Sequence, residues 1–179
     1  RSLETGLTGL DAIAVEGENA LDSVRSRLSI AAPDRLLVIG QALRLGMSHE
    51  EIHRITKYDP WFLAQLQQIV DAENWVKANG LPEAAEDLHH LKSLGFSDKQ
   101  LAKLADMTEI AVRSARHAKQ VRPVFKRVDT CAAEFASLTP YMYSTYETSA
   151  AGMESCEAAP ANRKKIFILG GGPNRIGQG

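Results

Sequence analysis

The sequence predicts an all-α fold: an irregular multi-helical array of two related helical units, followed by an extended linker and one terminal β-strand belonging to the next domain. Three observations carry this. Apolar residues recur at helical spacing through most of the first 120 positions. Helix-starting and helix-stopping residues interrupt them at short intervals, so the helices are short. The interruptions also repeat: Gly46 and Gly95 lie 49 residues apart, and the same offset pairs Ser48 with Ser97, Glu51 with Gln100, Ile52 with Leu101 and Ile55 with Leu104. This is the mark of an internally duplicated helix–turn–helix–turn–helix unit. The matched positions are caps and core, which argues for scaffold before chemistry.

In chain order, residues 1–30 read as helix fragments, with Leu7, Leu10 and Ile13 and then Leu21, Val24 and Leu28 at helical spacing. Arg1 to Gly6 reads as the tail of a helix. Without an initiator Met, the chain is expected to be a piece of something larger. Pro33 is expected in the first turn of a helix whose apolar face is Leu36, Leu37, Ile39, Ala42 and Leu43. Gly46 ends that helix as a left-handed cap, and Ser48 with Glu51 forms a capping box for the next. Asp59 and Pro60 start a third helix, with Phe62, Leu63, Leu66, Ile69 and Val70 facing inward until Asn79 and Gly80.

The second unit begins with a helix opened by Leu81 and Pro82 and closed by Gly95. Ser97 and Gln100 form the second capping box, with Leu101 and Leu104 as the apolar face, and Thr108 caps a further helix containing Val112. Beyond Pro123 the character changes. Residues 124–128 read as extended, 129–135 as a brief turn, and Tyr141, Tyr143 and Tyr146 lie in an extended stretch expected to pack against something else. Residues 149–163 have the Ala, Ser, Glu, Gly and Pro composition of a linker. The expected divisions are therefore a helical domain over 1–120, an extended segment and linker over 121–163, and 164–179 as the opening of another domain.

Composition narrows the functional classes. A chain of 179 residues, 44% hydrophobic, can bury a core, and a net charge of −1 supplies no global field for nucleic acid or anionic membrane. Cys131 and Cys156 lack metal-ligand spacing and read as free thiols of a reducing compartment. No apolar run approaches the ~18 residues of a membrane span. The expectation is a soluble, cytoplasmic protein.

Three motifs bear on chemistry. His49, Glu50 and His53 match H-E-x-x-H, with Glu73 downstream as a possible third zinc ligand. Against zinc, His49 opens its helix, where a metal is poorly held, and Asp59-Pro60 breaks the chain before Glu73. Residues 100–113 resemble a DNA-binding helix–turn–helix, followed by the basic run Arg113, Arg116, Lys119, Arg122, Lys126 and Arg127. The simpler account is a packed hairpin with a solvated basic face. Finally, Ile166 to Leu169 reads as a buried parallel strand running into a glycine turn, Gly170, Gly171 and Gly172, with Gly177 beyond. Such a turn opens nucleotide-handling α/β domains, although Pro173 removes an amide that a phosphate loop would offer.

Longer stretches carry a resemblance. VRPVFKRVDTCAAEF at 121–135, TPYMYSTYE at 139–147 and ILGGGPNRIGQG at 168–179, with EIHRIT at 51–56 and DPWFL at 59–63, resemble the large subunit of carbamoyl-phosphate synthase. The likeness covers essentially the whole chain. It implies a parent enzyme with two ATP-grasp halves, one phosphorylating bicarbonate and the other carbamate. ATP with Mg or Mn is the implied cofactor, and a small glutaminase subunit supplies ammonia for arginine and pyrimidine synthesis. Between the halves such proteins carry an all-helical connection domain, called the oligomerisation domain, and this chain is similar to it. The implied partners are the two halves of the same chain, other copies of the large subunit and the glutaminase, with no nucleic acid and no membrane. No catalytic, cofactor-binding or metal-binding residue is expected within the stretch, and by itself it is expected to be inactive. Tyr58 stands where Ile is usual before the Asp-Pro-Trp-Phe-Leu motif.

Overall fold

The computed structural model describes residues 6–15, 19–147 and 156–166. Among them are seven helices: α1 (Ala20–Leu28), α2 (Arg35–Arg44), α3 (His49–Thr56), α4 (Pro60–Asn79), α5 (Ala85–Ser93), α6 (Asp98–Leu104) and α7 (Glu109–Ala118). Two short strands, β1 (Val124–Arg127) and β2 (Met142–Thr145), pair with one another. The described residues form two units. One is helical and runs to Val124, regaining the chain at Thr145; the other contains Phe125–Ser144 and residues 156–166.

The duplication is physical. Gly46 and Gly95 adopt φ of +80° and +94°, and both amides donate to a carbonyl three residues back, Leu43 and Lys92, at 3.0 Å. The next amides, Met47 and Phe96, reach back to Ala42 and Leu91. Ser48 and Ser97 then cap α3 and α6 from nearly identical backbone conformations, accepting from the amides of Glu51 and Gln100. The offset extends beyond what periodicity indicated. Lys57 and Asp106 both take left-handed φ, and the third-helix caps, Asp59 and Thr108, are also equivalent. Leu63 and Val112, one turn into those helices, are both fully buried.

Each repeat surrounds its own core. The first gathers Val24, Leu28, Val38, Ile39, Leu43, Ile52, Leu63 and Val70; the second gathers Val76, Leu88, Leu91, Phe96, Leu101 and Val112. Each fully buried aliphatic side chain contributes roughly 1.5–3 kcal/mol relative to exposure. Helix α4 has 20 residues, about 30 Å at helical rise, and contributes to both cores, with Ile69 packed against each. One rigid helix thereby joins the two repeats.

Several local expectations are corrected. Residues 6–15 are not helical. The Asp11 carboxylate accepts from the amides of Thr8 and Gly9 and from the Thr8 hydroxyl, and such local bonds compete with helical ones. Leu10 is nevertheless core. Asp34 caps α2, which leaves Pro33 just before the helix. Leu36 and Phe62 are exposed; Val38 takes the inward position on α2, and Leu63 does so on α4. Helix α5 starts at Ala85, because residues 81–84 form bends with Pro82 buried. Neither capping box uses its acidic or amide side chain reciprocally. Glu51 accepts from Arg25 Nε at 2.7 Å, and Gln100 donates to Glu73.

In the second unit, the Val128 amide donates to the Tyr141 carbonyl just beyond the strand ends. Asp129 organises the turn that follows β1, its two oxygens accepting from the amides of Cys131 and Ala133. Tyr141 and Tyr143 are exposed, contrary to the packing expected for them, whereas Tyr146 packs on the second core of the helical unit. Ile166, the first residue of the expected terminal strand, is exposed and outside any strand; residues 167–169 and the glycine turn at Gly170, Gly171, Gly172 and Gly177 lie outside the described residues, as does the N-terminal stretch to residue 5.

Candidate functional site

The histidine pair is built into a helix start rather than a metal cradle. His49 is the first residue of α3, and His53 Nδ1–H donates to the Tyr58 carbonyl at 2.6 Å, closing the α3–α4 turn. Glu73 is 2% exposed and its carboxylate accepts from Arg44 and Gln100, so it is already engaged. Among the described residues no group of three or more His, Cys, Asp or Glu is arranged to hold a metal. Glu50, the would-be base, lies in the first turn of α3; its own amide and Ser48 hydrogen-bond its carboxyl and hold it below the ordinary range.

The basic run is not a free array of cations. Arg116 is buried, and its guanidinium donates to both Asp98 oxygens and to the Val121 carbonyl. Arg113 pairs with Glu109 on its own helix at 2.9 Å, the Lys119 ammonium donates to the Glu83 carbonyl, and Lys126 lies 3.8 Å from Glu157. A recognition helix needs its basic side chains free to reach phosphates and base edges. Here the most central arginine is part of the interior.

What the fold does bring together are two buried polar joints that periodicity did not reveal. At the first, Arg44 of α2 forms a two-pronged pair with Glu73 of α4, Nε to Oε2 and Nη2 to Oε1, each at 2.8 Å. Nη2 also donates to the Leu10 carbonyl, and Gln100 Nε2 of α6 donates to Glu73 Oε1 at 3.2 Å. One carboxylate thus ties the N-terminal segment, the first repeat and the second repeat. Gly9 belongs to the same joint, since a Cβ there would sit 2.1 Å from Gln100 Oε1. The Ser97 hydroxyl adds a bond to the Thr8 carbonyl at 3.1 Å.

The second joint centres on Asp98, at the first turn of α6. It accepts from Lys92 Nζ at 2.8 Å and from Arg116, while Lys92 also donates to the Phe96 carbonyl. Burial alone would raise the Asp98 carboxyl; the hydrogen bonds from Arg116 and Lys92 overcome this and hold it below the ordinary aspartate value. Tyr146 closes the cluster, its ring edge-on to His89 at 5.9 Å and 5.4 Å from Lys92 Nζ. Both joints are buried ion pairs whose carboxylates are engaged by cations, an arrangement that fixes one packing rather than one that holds a reactive group ready.

The exterior offers apolar surface. Trp61 and Phe62 form an edge-to-face pair at 5.0 Å, 62% and 56% exposed, at the start of α4. Ile110, at the equivalent position of α7, is also exposed. An open groove of about 630 Å³ between α4 and α5 is lined by Asp71, Trp75, Asp87 and His90 among others. No helix among the described residues is long and apolar enough to cross a membrane.

Comparison with known proteins is consistent with a scaffold of this kind. Residues 1–120 match the family model described as carbamoyl-phosphate synthetase large chain, oligomerisation domain. The whole chain aligns with the carbamoyl phosphate synthase large chain of Rhizobium meliloti at 55% identity, that of Ralstonia nicotianae at 52% and that of Pseudomonas aeruginosa at 49%. In each case all of this chain is covered but only 16% of the relative. With the helical repeats, the buried polar joints and these alignments in agreement, the chain belongs to the carbamoyl-phosphate synthetase large-chain family, and residues 1–120 are its oligomerisation domain.

Proposed function

We propose that this chain serves as the helical connection of a carbamoyl-phosphate synthase large chain, a non-catalytic spacer and association surface within a cytoplasmic ligase. That parent makes carbamoyl phosphate from bicarbonate, glutamine-derived ammonia and ATP with Mg or Mn. The observation that carries the reading is the Glu73 joint, in which one buried carboxylate locks both repeats and the segment before them. A connector needs such rigidity to hold large neighbours in register. Residues 1–120 act as the helical body, 121–163 as the segment leading away, and 164–179 as the first strand and glycine turn of an ATP-grasp half. In this reading Gly170, Gly171, Gly172 and Gly177 belong to that half's chemistry. The partners are the two halves of the same chain, the small glutaminase subunit and further copies of the large chain.

Symmetric oligomers commonly use one patch twice, and the exposed apolar side chains Ile30, Trp61, Phe62, Trp75 and Ile110 supply candidates. The test is sedimentation of the full-length parent, with these residues changed singly to Glu. The association role predicts at least one variant that shifts towards smaller species. If every variant kept the wild-type distribution, only the spacer role would stand. That role is tested by inserting a Gly-Ser linker after Gly80 of the parent: overall synthesis should fall while the partial ATP-hydrolysing reactions persist.

A further inference from the structure

The repeats share more than their caps. In the first, Leu10 of the segment before α1 lies on α2 at Gly40, so closely that a Cβ there would stand 2.9 Å from both Leu10 Cγ and Cδ2. In the second, Tyr146 of the segment after β2 lies on α5 at His89, ring to ring, with the Lys92 ammonium over its face. Gly40 and His89 are separated by the duplication offset, as are Leu43 and Lys92. Both segments are non-helical and both belong to the helical unit. Two unrelated stretches of chain therefore occupy one station, repeated twice.

We infer that the first helix of each repeat is a receptor for a non-helical segment, Leu10 being held at Gly40 of α2 and Tyr146 at His89 of α5. The receptors are tuned differently. A glycine within a helix is unfavourable by about 1 kcal/mol relative to Ala, and close approach of another chain segment is the usual reason to keep one. Leu10 supplies that approach, with Arg44 holding its carbonyl. At the second station the residue is large, and the occupant is an aromatic ring in a T-shaped pair with the imidazole and beside a cation, both favourable arrangements for a π system. Lys92 stays oriented because Asp98 and the Phe96 carbonyl hold its ammonium. The occupants are segments of this same chain, one before the helical array in sequence and one after it. The domain thus clamps both the stretch leading into the array and the stretch returning to it from the strand pair.

This deepens the connector reading and rests on it, because a spacer transmits geometry only if its incoming and outgoing strands are fixed. The experiment is site-resolved hydrogen exchange on the intact 179-residue chain. Gly40→Ala should speed exchange of the Thr8 and Gly9 amides at least about tenfold and leave residues 142–147 as in wild type. Tyr146→Ala should do the reverse, and Tyr146→Phe, which keeps the ring, should resemble wild type. Where Gly40→Ala lowers the helical signal, Leu10→Ala gives the same readout while only removing atoms. Local, separate effects support two independent receptors. Unchanged exchange in either segment, or both segments loosening together in either variant, overturns them. The connector reading is judged separately by the linker insertion in the parent, so failure of one leaves the other legible.

Discussion

Arg44 and Glu73, 29 residues apart on α2 and α4, meet through two parallel hydrogen bonds of 2.8 Å with side chains only 9% and 3% exposed. Removing one partner of a buried pair leaves the other charged and desolvated, which costs roughly 3–5 kcal/mol. Here loss of Glu73 also leaves the Gln100 amide without its acceptor. Glu73→Ala is therefore expected to lower unfolding free energy by about 3 kcal/mol or more in urea titration. A cost below about 1 kcal/mol would show that the joint is not what holds the repeats together.

Asp98 gives a pH dependence with a definite sign. Its folded-state carboxyl lies below the ordinary value of 3.8, since the bonds from Arg116 and Lys92 outweigh the opposing effect of burial. A depressed carboxylate contributes stability that is complete above its unfolded pKa and is lost as pH falls through its folded one. The stability gap between wild type and Asp98→Asn should be largest at about pH 6–7, near 3 kcal/mol, and should shrink steadily below about pH 4. A gap that widened on acidification would contradict the assignment.

How much of this was legible in the sequence depends on whether each signal was local. Caps are local: Ser48, Asp59, Ser97 and Thr108 all accept from the amides that their spacing predicts. Left-handed glycines are local too, so the duplication could be seen from Gly46 and Gly95. Partners distant in sequence were not visible. Arg116 read as one cation in a basic surface run, although Asp98, 18 residues earlier, draws it inside. Glu73 read as a spare metal ligand because nothing in the sequence announces Arg44 as its counterpart. Leu10 has helical spacing, but Asp11 captures the neighbouring amides and the segment is not helical. Phe62 has helical spacing as well, yet it lies on the outer face and pairs with Trp61.

The H-E-x-x-H match makes a separate prediction. With His53 Nδ1 bonded to Tyr58 and Glu73 committed to Arg44, the remaining donors do not converge. Metal analysis after dialysis should find well under one zinc per chain. His49→Ala should change stability by no more than about 0.5 kcal/mol, as at an ordinary surface position. One zinc per chain, lost in His53→Ala, would restore the metal site.

Nucleic-acid binding is tested through Arg113 and Arg122, the exposed cations of the basic run. A few exposed cations give weak attraction that falls steeply with salt, whereas specific sites usually reach about 10⁻⁸ M. Titration with duplex DNA at about 150 mM salt is expected to show no preference for any sequence over its scrambled form. Tight and selective binding would overturn the scaffold reading.

The duplicated caps allow one experiment to be done twice in a single molecule. Gly46 and Gly95 have φ of +80° and +94°, and a Cβ at either would meet nothing within 4 Å. Steric contact with neighbours is thus absent at both, and an Ala substitution there costs only the backbone strain of the left-handed conformation, about 1–2 kcal/mol. Because the two turns serve separate cores, the double substitution should cost the sum of the singles to within about 0.5 kcal/mol. Equal, additive losses would mean that the repeats remain equivalent folding elements despite their different polar joints. If Gly95→Ala cost far more than Gly46→Ala, the second turn would be bearing extra load. The Lys92 carbonyl accepts the Gly95 amide, while the ammonium of the same residue reaches Asp98, so strain at Gly95 would then be transmitted directly to the buried ion cluster.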